Sequence, residues 1–280
     1  MKKEPPAEPR FHFLDATEDE LFRPSEIYHE NSKLRASDTA TFINIATVNS
    51  SLDVRSVITR PFSNYRGFPS VPLTHDFAQS GKAFETILRE RCSTRDFSGE
   101  PGSLESLSKI LYLGDGIVRT VEASDGTEWL LRTAPSGGGL FPVDLYCFVL
   151  NVDGIAPGLY FYNVLDHCLE QVIVRDFTPL LRDATALEDS VSNACACIAM
   201  VGVMQRAKFK YGERAYRFVL LEAGHIAQNM LLAAHDEGLG AVPVGGFLDD
   251  SLNEGIGLDG CDEVVVYLVL LGRTRSRGSV

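Results

Sequence analysis

The stretch from Arg214 to Glu237 constrains the fold most. Phe218, Leu221, Ile226, Met230, Leu231 and Ala234 recur through it at helical spacing, and glycines at 238 and 240 close it. At 1.5 Å of rise per residue this helix is roughly 35 Å long, enough to cross a whole domain. Its apolar residues spread beyond one stripe, so two of its sides are expected to be covered. The chain's own core can cover one side, and a second subunit is the expected cover for the other. Gly224 is the interior position where helical propensity is weakest.

Other elements can be read around it. Phe84 to Glu90 reads as a helix, and Ser103 is placed to cap another whose Leu104, Leu107, Ile110 and Leu111 share a face. Strands are expected at Leu145 to Leu150, Gly158 to Tyr162 and Cys168 to Val174, the last two joined as a hairpin. Thr178-Pro179 starts a further helix, because proline suits the first helical position. Cys197 to Met204 and Glu263 to Gly272 are apolar enough to be buried strands. Residues 1–20, rich in Pro, Glu and Asp, are expected to lack order. Residues 21–80 form an N-terminal extension, a short helix within Ser25 to Lys33 followed by irregular chain, and residues 81–280 form the main domain.

Composition narrows the function classes. With 45% hydrophobic residues in 280, the chain can bury a large core. A net charge of −12 argues against nucleic acid, whose binders concentrate Lys and Arg. No segment has the length of a membrane span or the apolar core of a signal peptide, so a cytoplasmic protein is expected. The six cysteines form no CxxC pair and no metal-site spacing; Cys147, Cys195 and Cys197 read as small core residues. Neither GxGxxG nor a P-loop occurs, which argues against a Rossmann or nucleotide triphosphate site.

Three separated motifs carry the chemistry. Arg132-Thr133-Ala134-Pro135-Ser136-Gly137-Gly138-Gly139-Leu140-Phe141-Pro142 strips side chains from a loop just before a strand, so a flat or charged ligand can lie on bare backbone. Arg91-x-Ser93-x-Arg95 puts two guanidinium forks and a hydroxyl on one side of an extended segment. Arg273-x-Arg275 follows the last strand, within a basic tail that continues to Arg277. Arginine forks match phosphate oxygens in pairs. Read together, these motifs resemble the nitroreductase superfamily of flavoproteins, and within it the SagB-type dehydrogenases, the oxidases of thiazole and oxazole biosynthesis. Further marks are Ser25 to Lys33, Lys210 to Arg217, Leu221 to Asn229 and Gly238 to Phe247.

The resemblance implies an α+β fold, a mixed sheet flanked by helices, homodimeric through the long helix with FMN at the interface. Arg91, Ser93, Arg95, Arg273 and Arg275 are then expected to grip the FMN phosphate. Pro135, Ser136 and Gly137 would form the flavin platform, and Gly245 and Gly246 would bring backbone amides to the flavin edge. It also places a Lys-Tyr pair at Lys210 and Tyr211 as the base and its partner in oxidising a peptide azoline to an azole. A lysine can do this only if burial or nearby cations, here Arg206, Lys208, Arg214 and Arg217, disfavour its ammonium form. The implied partners are a precursor peptide and a cyclodehydratase subunit, and no metal is expected. Two alternatives stay open: a general NAD(P)H-dependent nitro or quinone reductase, and a non-catalytic scaffold subunit. His225 and Glu222 read as satisfied core residues, and the role of Arg132 is undecided.

Overall fold

A computed structural model describes residues 24–59, 62–65, 67–78 and 80–275. The expectation of disorder at 1–20, and Ser276 and Arg277 of the basic tail, lie outside the described residues. The chain separates into two compact units, Met1–Asp38 and Thr39–Val280. In the first, α1 (Pro24–Asn31) ends where the Ser32 hydroxyl donates back to the Tyr28 carbonyl at 2.6 Å, and Glu30 in its last turn pairs with Lys33 and Arg35 beyond it.

The second unit opens with two helices that sequence reasoning missed, α2 (Thr39–Ser50) and α3 (Leu52–Ile58). Their Thr, Ile and Val residues are weak helix formers. Tertiary packing compensates, because Val48 and Ile58 bury against Leu140, Ala207 and Ala215. Then follow β1 (Ser70–Pro72), α4 (Phe84–Glu90), α5 (Leu104–Asp115) and the hairpin β2 (Ile117–Glu122) with β3 (Glu128–Arg132). The Ser103 hydroxyl caps α5 as expected, accepting from the Ser106 amide at 3.1 Å. Next come β4 (Val143–Val149), β5 (Gly158–Asn163), β6 (Cys168–Ile173), α6 (Thr178–Thr185), α7 (Glu188–Ser192) and β7 (Ala196–Val203). The chain ends through α8 (Gln205–Tyr211), α9 (Ala215–Asp236), β8 (Leu239–Val244), α10 (Asp249–Ile256) and β9 (Glu263–Arg273).

One seven-stranded sheet runs in the order β1-β6-β5-β4-β7-β9-β8, and its strand pairs are antiparallel. The expected mixed sheet is therefore a correction: among the described residues the named strands pair antiparallel, and parallel pairing occurs at isolated bridges such as Ser93 to Ala241. Both faces are covered. Leu145, Cys147 and Val149 of β4 point into a core shared with α5 and α9, while Tyr146 and Phe148 point into one shared with α6 and α10. The period-2 pattern of a strand thus feeds two cores at once. Cys147, Cys195 and Cys197 are buried within them, as their sequence context implied.

The long helix α9 is unbroken at Gly224. Ala223, Ile226, Ala227, Met230 and Ala234 bury against α5 and the sheet, whereas Tyr216, Leu220 and Leu221 are exposed in the single chain. Close approach of α5 to α9 depends on Gly114, where a Cβ atom would stand 2.7 Å from Met230. His225 is a correction: helical phase sets it near Leu221 on the exposed side, away from the core.

Candidate functional site

The glycine loop and the Lys-Tyr pair are one place in the fold. At Gly138 a Cβ atom would lie 2.4 Å from the Tyr211 hydroxyl and 3.2 Å from Lys210 Nζ, so the loop backbone rests directly on that pair. Gly138 and Gly139 have φ of 70° and 67°, a left-handed conformation that penalises other residues. Gly137 packs on the Phe218 ring and Gly139 on Trp129. Pro135 and Gly138 are exposed, and Ser136 and Gly137 are half-buried, so the ledge faces outward.

Lys210 and Tyr211 end α8, where Gly212, at φ 55°, breaks the helix. The turn lets the Tyr211 ring meet Phe218 edge-on at 4.9 Å. Lys210 is 5% exposed, and its Nζ donates to Asn49 Oδ1 at 3.2 Å and lies 5.3 Å from the Tyr211 ring centroid. No carboxylate among the described residues pairs with it. Burial alone pushes the amine below the usual lysine range, and burial pushes the Tyr211 phenol up. The crowding of cations expected from the sequence is not the cause. Arg206 is turned away into a fork-to-fork pair with Asp144, at 2.6 and 2.7 Å, and Lys208 faces Glu213. Asn49 carries no sequence signal, since it enters only because α2 packs on α8.

Beneath the ledge lies a buried polar cluster. Arg132, undecided from sequence, pairs with Asp115 at 2.5 Å and stacks over the Phe141 ring at 4.6 Å. Burial raises the Asp115 carboxyl to about 6 against the pull of Arg132. Glu222 is raised to about 8 by burial and by the Asp115 charge, opposed by the Ser136 hydroxyl and Arg132. The satisfied core residue expected there is only half satisfied: Glu222 Oε1 accepts from the Val143 amide at 3.2 Å, while Oε2 has no hydrogen-bond partner.

The arginine motifs form a second grouping. Residues 93–98 run beside both β8 and the end of β9, with the Thr94 amide donating to the Ala241 carbonyl at 3.0 Å and Ser98 to Arg273 at 2.8 Å. This register brings Arg91, Ser93 and Arg95 to the same edge as Arg273 and Arg275. Ser93, Arg95, Arg273 and Arg275 are exposed and Arg91 half-buried. Arg91 and Arg275 line a cavity of about 580 Å³ with Lys82 and His235. Two anions temper it, for Arg275 meets Asp96 at 3.2 Å and Glu90 faces His235 at 3.8 Å. Gly245 and Gly246 follow β8 at its other end, where Val244 pairs with Leu268 rather than Leu239 with Arg273; a Cβ at Gly245 would touch the Tyr267 ring, and at Gly246 it would meet nothing within 4 Å. Four guanidinium groups, a hydroxyl and a bare backbone suit a planar ligand with a phosphate tail. Among the described residues no His, Cys, Asp and Glu grouping could hold a metal ion.

A model of the nitroreductase family matches residues 88–273. MJ1384 of Methanocaldococcus jannaschii, described as a nitroreductase, is 31% identical over 61% of this chain and 82% of its own length. The trifolitoxin-processing protein TfxB of Rhizobium leguminosarum is 30% identical over 49% of the chain, and the microcin B17-processing protein McbC of Escherichia coli 29% over 46%. The match spans only 38% of TfxB and 49% of McbC. Among solved structures, a nitroreductase-type protein from Anabaena variabilis superposes with a TM-score of 0.68 at 24% identity, over 89% of this chain and 47% of that one. The E. coli microcin synthetase McbBCD complex, with truncated pro-MccB17 bound, gives 0.57 at 22%, over 89% and 87%.

Proposed function

The chain belongs to the nitroreductase family, and from that premise we propose that it is an FMN-dependent dehydrogenase that oxidises azoline rings on a peptide to aromatic azoles. Flavin mononucleotide, held by Arg91, Ser93, Arg95, Arg273 and Arg275 with its ring against the Pro135 to Gly137 ledge and the Gly245-Gly246 backbone, would supply the two-electron acceptor. The chain supplies the base: Lys210 Nζ takes the ring proton, Tyr211 orients that proton, and Asn49 holds the amine in place. The observation that carries this reading is a buried amine, without a carboxylate partner among the described residues, set against a side-chain-free ledge. Likeness to two proteins named for processing peptide products supports a peptide substrate and a cyclodehydratase partner. The six free cysteines support a reducing compartment, the cytoplasm.

The test is to incubate the purified chain with an azoline peptide and read its mass. Loss of about two mass units per ring is expected, because a two-electron oxidation removes two hydrogens. An unchanged mass with flavin bound would sink the assignment. The likeness to MJ1384 favours a second reading, a general nitro or quinone reductase. NADH added under argon separates the two, since rapid bleaching of the yellow flavin belongs to the second alone.

A further inference from the structure

We propose that Arg206 is a positioning residue for the Lys-Tyr pair: its guanidinium locks α8 to the chain that ends the glycine ledge and so fixes where Lys210 Nζ stands. Arg206 and Lys210 are one helical turn apart and share a side of α8. Both meet the same stretch of chain. Lys210 Nζ and the Tyr211 hydroxyl crowd the place a Cβ would take on Gly138. Three residues on, Arg206 Nη1 donates to the Phe141 carbonyl at 3.3 Å, and the fork spans both oxygens of Asp144 at 2.6 and 2.7 Å. Its Nη2 also donates to the Ser63 hydroxyl. One planar group thus ties the helix that carries the amine to the start of β4 and to residue 63.

Phe141 shows why such a hold is needed. It is a non-glycine residue at φ 43°, a strained conformation that persists only where the surroundings over-determine it. Its amide donates to the Ser136 hydroxyl at 2.8 Å and its carbonyl is taken by Arg206, so the strained residue is gripped on both sides. The ion pair is largely buried, with the Arg206 and Asp144 side chains 15% and 8% exposed. A desolvated pair adds little stability over apolar packing; what a two-pronged fork adds is a fixed orientation. Lysine in place of Arg206 would keep the charge and lose that orientation. The consequence for the reaction rests on the reading of Lys210 as base; the consequence for the amine itself does not.

Competitive acetylation with acetic anhydride across the alkaline range, read by fragment mass, tests the proposal in the full chain, with the exposed Lys208 of the same helix as internal reference. In the wild type Lys210 should titrate below the ordinary lysine value of about 10.4. Arg206→Lys should let Nζ reach water and move its midpoint up toward that value, with Lys208 unmoved. Single-turnover flavin reduction by an azoline peptide should fall about 10²-fold in the same variant, with flavin still bound, as a small misplacement of the reacting groups does. An unmoved Lys210 midpoint in folded Arg206→Lys, or an equal shift at Lys208, overturns the proposal. If Arg206→Lys does not fold, Asp144→Asn, which leaves the fork one oxygen instead of two, carries the same expectation and the same refutation. Losing an anion would by charge alone lower a lysine midpoint, so a rise there reports geometry. A wild-type chain that titrates as expected at Lys210 yet leaves azolines unoxidised defeats the functional reading and leaves the labelling result standing.

Discussion

Lys210 is the residue on which the proposed chemistry turns. An ammonium stripped of water and given an amide oxygen in place of a carboxylate loses part of its stabilisation, so the neutral amine forms at lower pH than in free lysine. Azoline oxidation should therefore rise with pH along a limb whose midpoint lies below the usual lysine value of about 10.4, measured as single-turnover flavin reduction. Lys210→Ala should abolish that limb and lower the rate about 10² to 10⁴-fold while flavin stays bound. Glu222 and Asp115 make a prediction about stability. Their folded pKa values, about 8 and about 6, lie above the ordinary 4.5 and 3.8, so the folded state holds protons that the unfolded state releases. Their stabilising contribution is complete below those ordinary values and is lost as pH rises through about 6 for Asp115 and about 8 for Glu222. Urea midpoints should fall across this window, and Glu222→Gln should remove the upper part of the fall. A Gln variant that tracks wild type up to pH 8 would contradict the assignment.

Among the elements, the ledge owes its place to backbone that only glycine adopts. Gly138→Ala forces a side chain into left-handed backbone, costing roughly 1–2 kcal/mol, and drives Cβ against the Tyr211 hydroxyl. The expected result is a lower melting temperature together with loss of the Lys210-dependent rate. Gly246→Ala is the contrast, since its Cβ meets nothing within 4 Å. Melting temperature should stay within experimental scatter there, and any weakening of flavin binding would report the ligand's own need for that space. The ledge glycines were legible in the sequence because a triple run just before a strand strips side chains from the loop, and the arginine motifs read with it set it apart from an ordinary turn. Asn49 and the pairing of Asp115 with Arg132 were not, because each joins elements far apart in the chain. The helices α2 and α3 were missed for a related reason: their local preference is weak and packing on α8 decides them.

In the molecule as a whole, α9 presents Tyr216, Leu220 and Leu221 to solvent in the single chain while its other side is buried. We propose that a second copy covers this face and that flavin binding and dimerisation are linked, since a ligand that binds only the dimer must favour it. Leu221→Arg should leave monomer stability within about 0.5 kcal/mol, as a surface change does, yet dissociate the dimer in light scattering and weaken flavin affinity together with it. A monomeric wild type that binds flavin tightly would refute the linkage.

The amino-acid sequence alone determined the long helix, the buried strands, the glycine ledge and the arginine motifs, because each is local: spacing along the chain sets which residues share a face and where a side chain is missing. Only the tertiary structure decided that Lys210 is buried, that Asn49 and not a carboxylate meets it, and that Glu222 and Arg132 lie beneath the ledge. Burial and the pairing of charges depend on which distant elements come to share a wall, and that is a property of the packed chain rather than of any stretch of it.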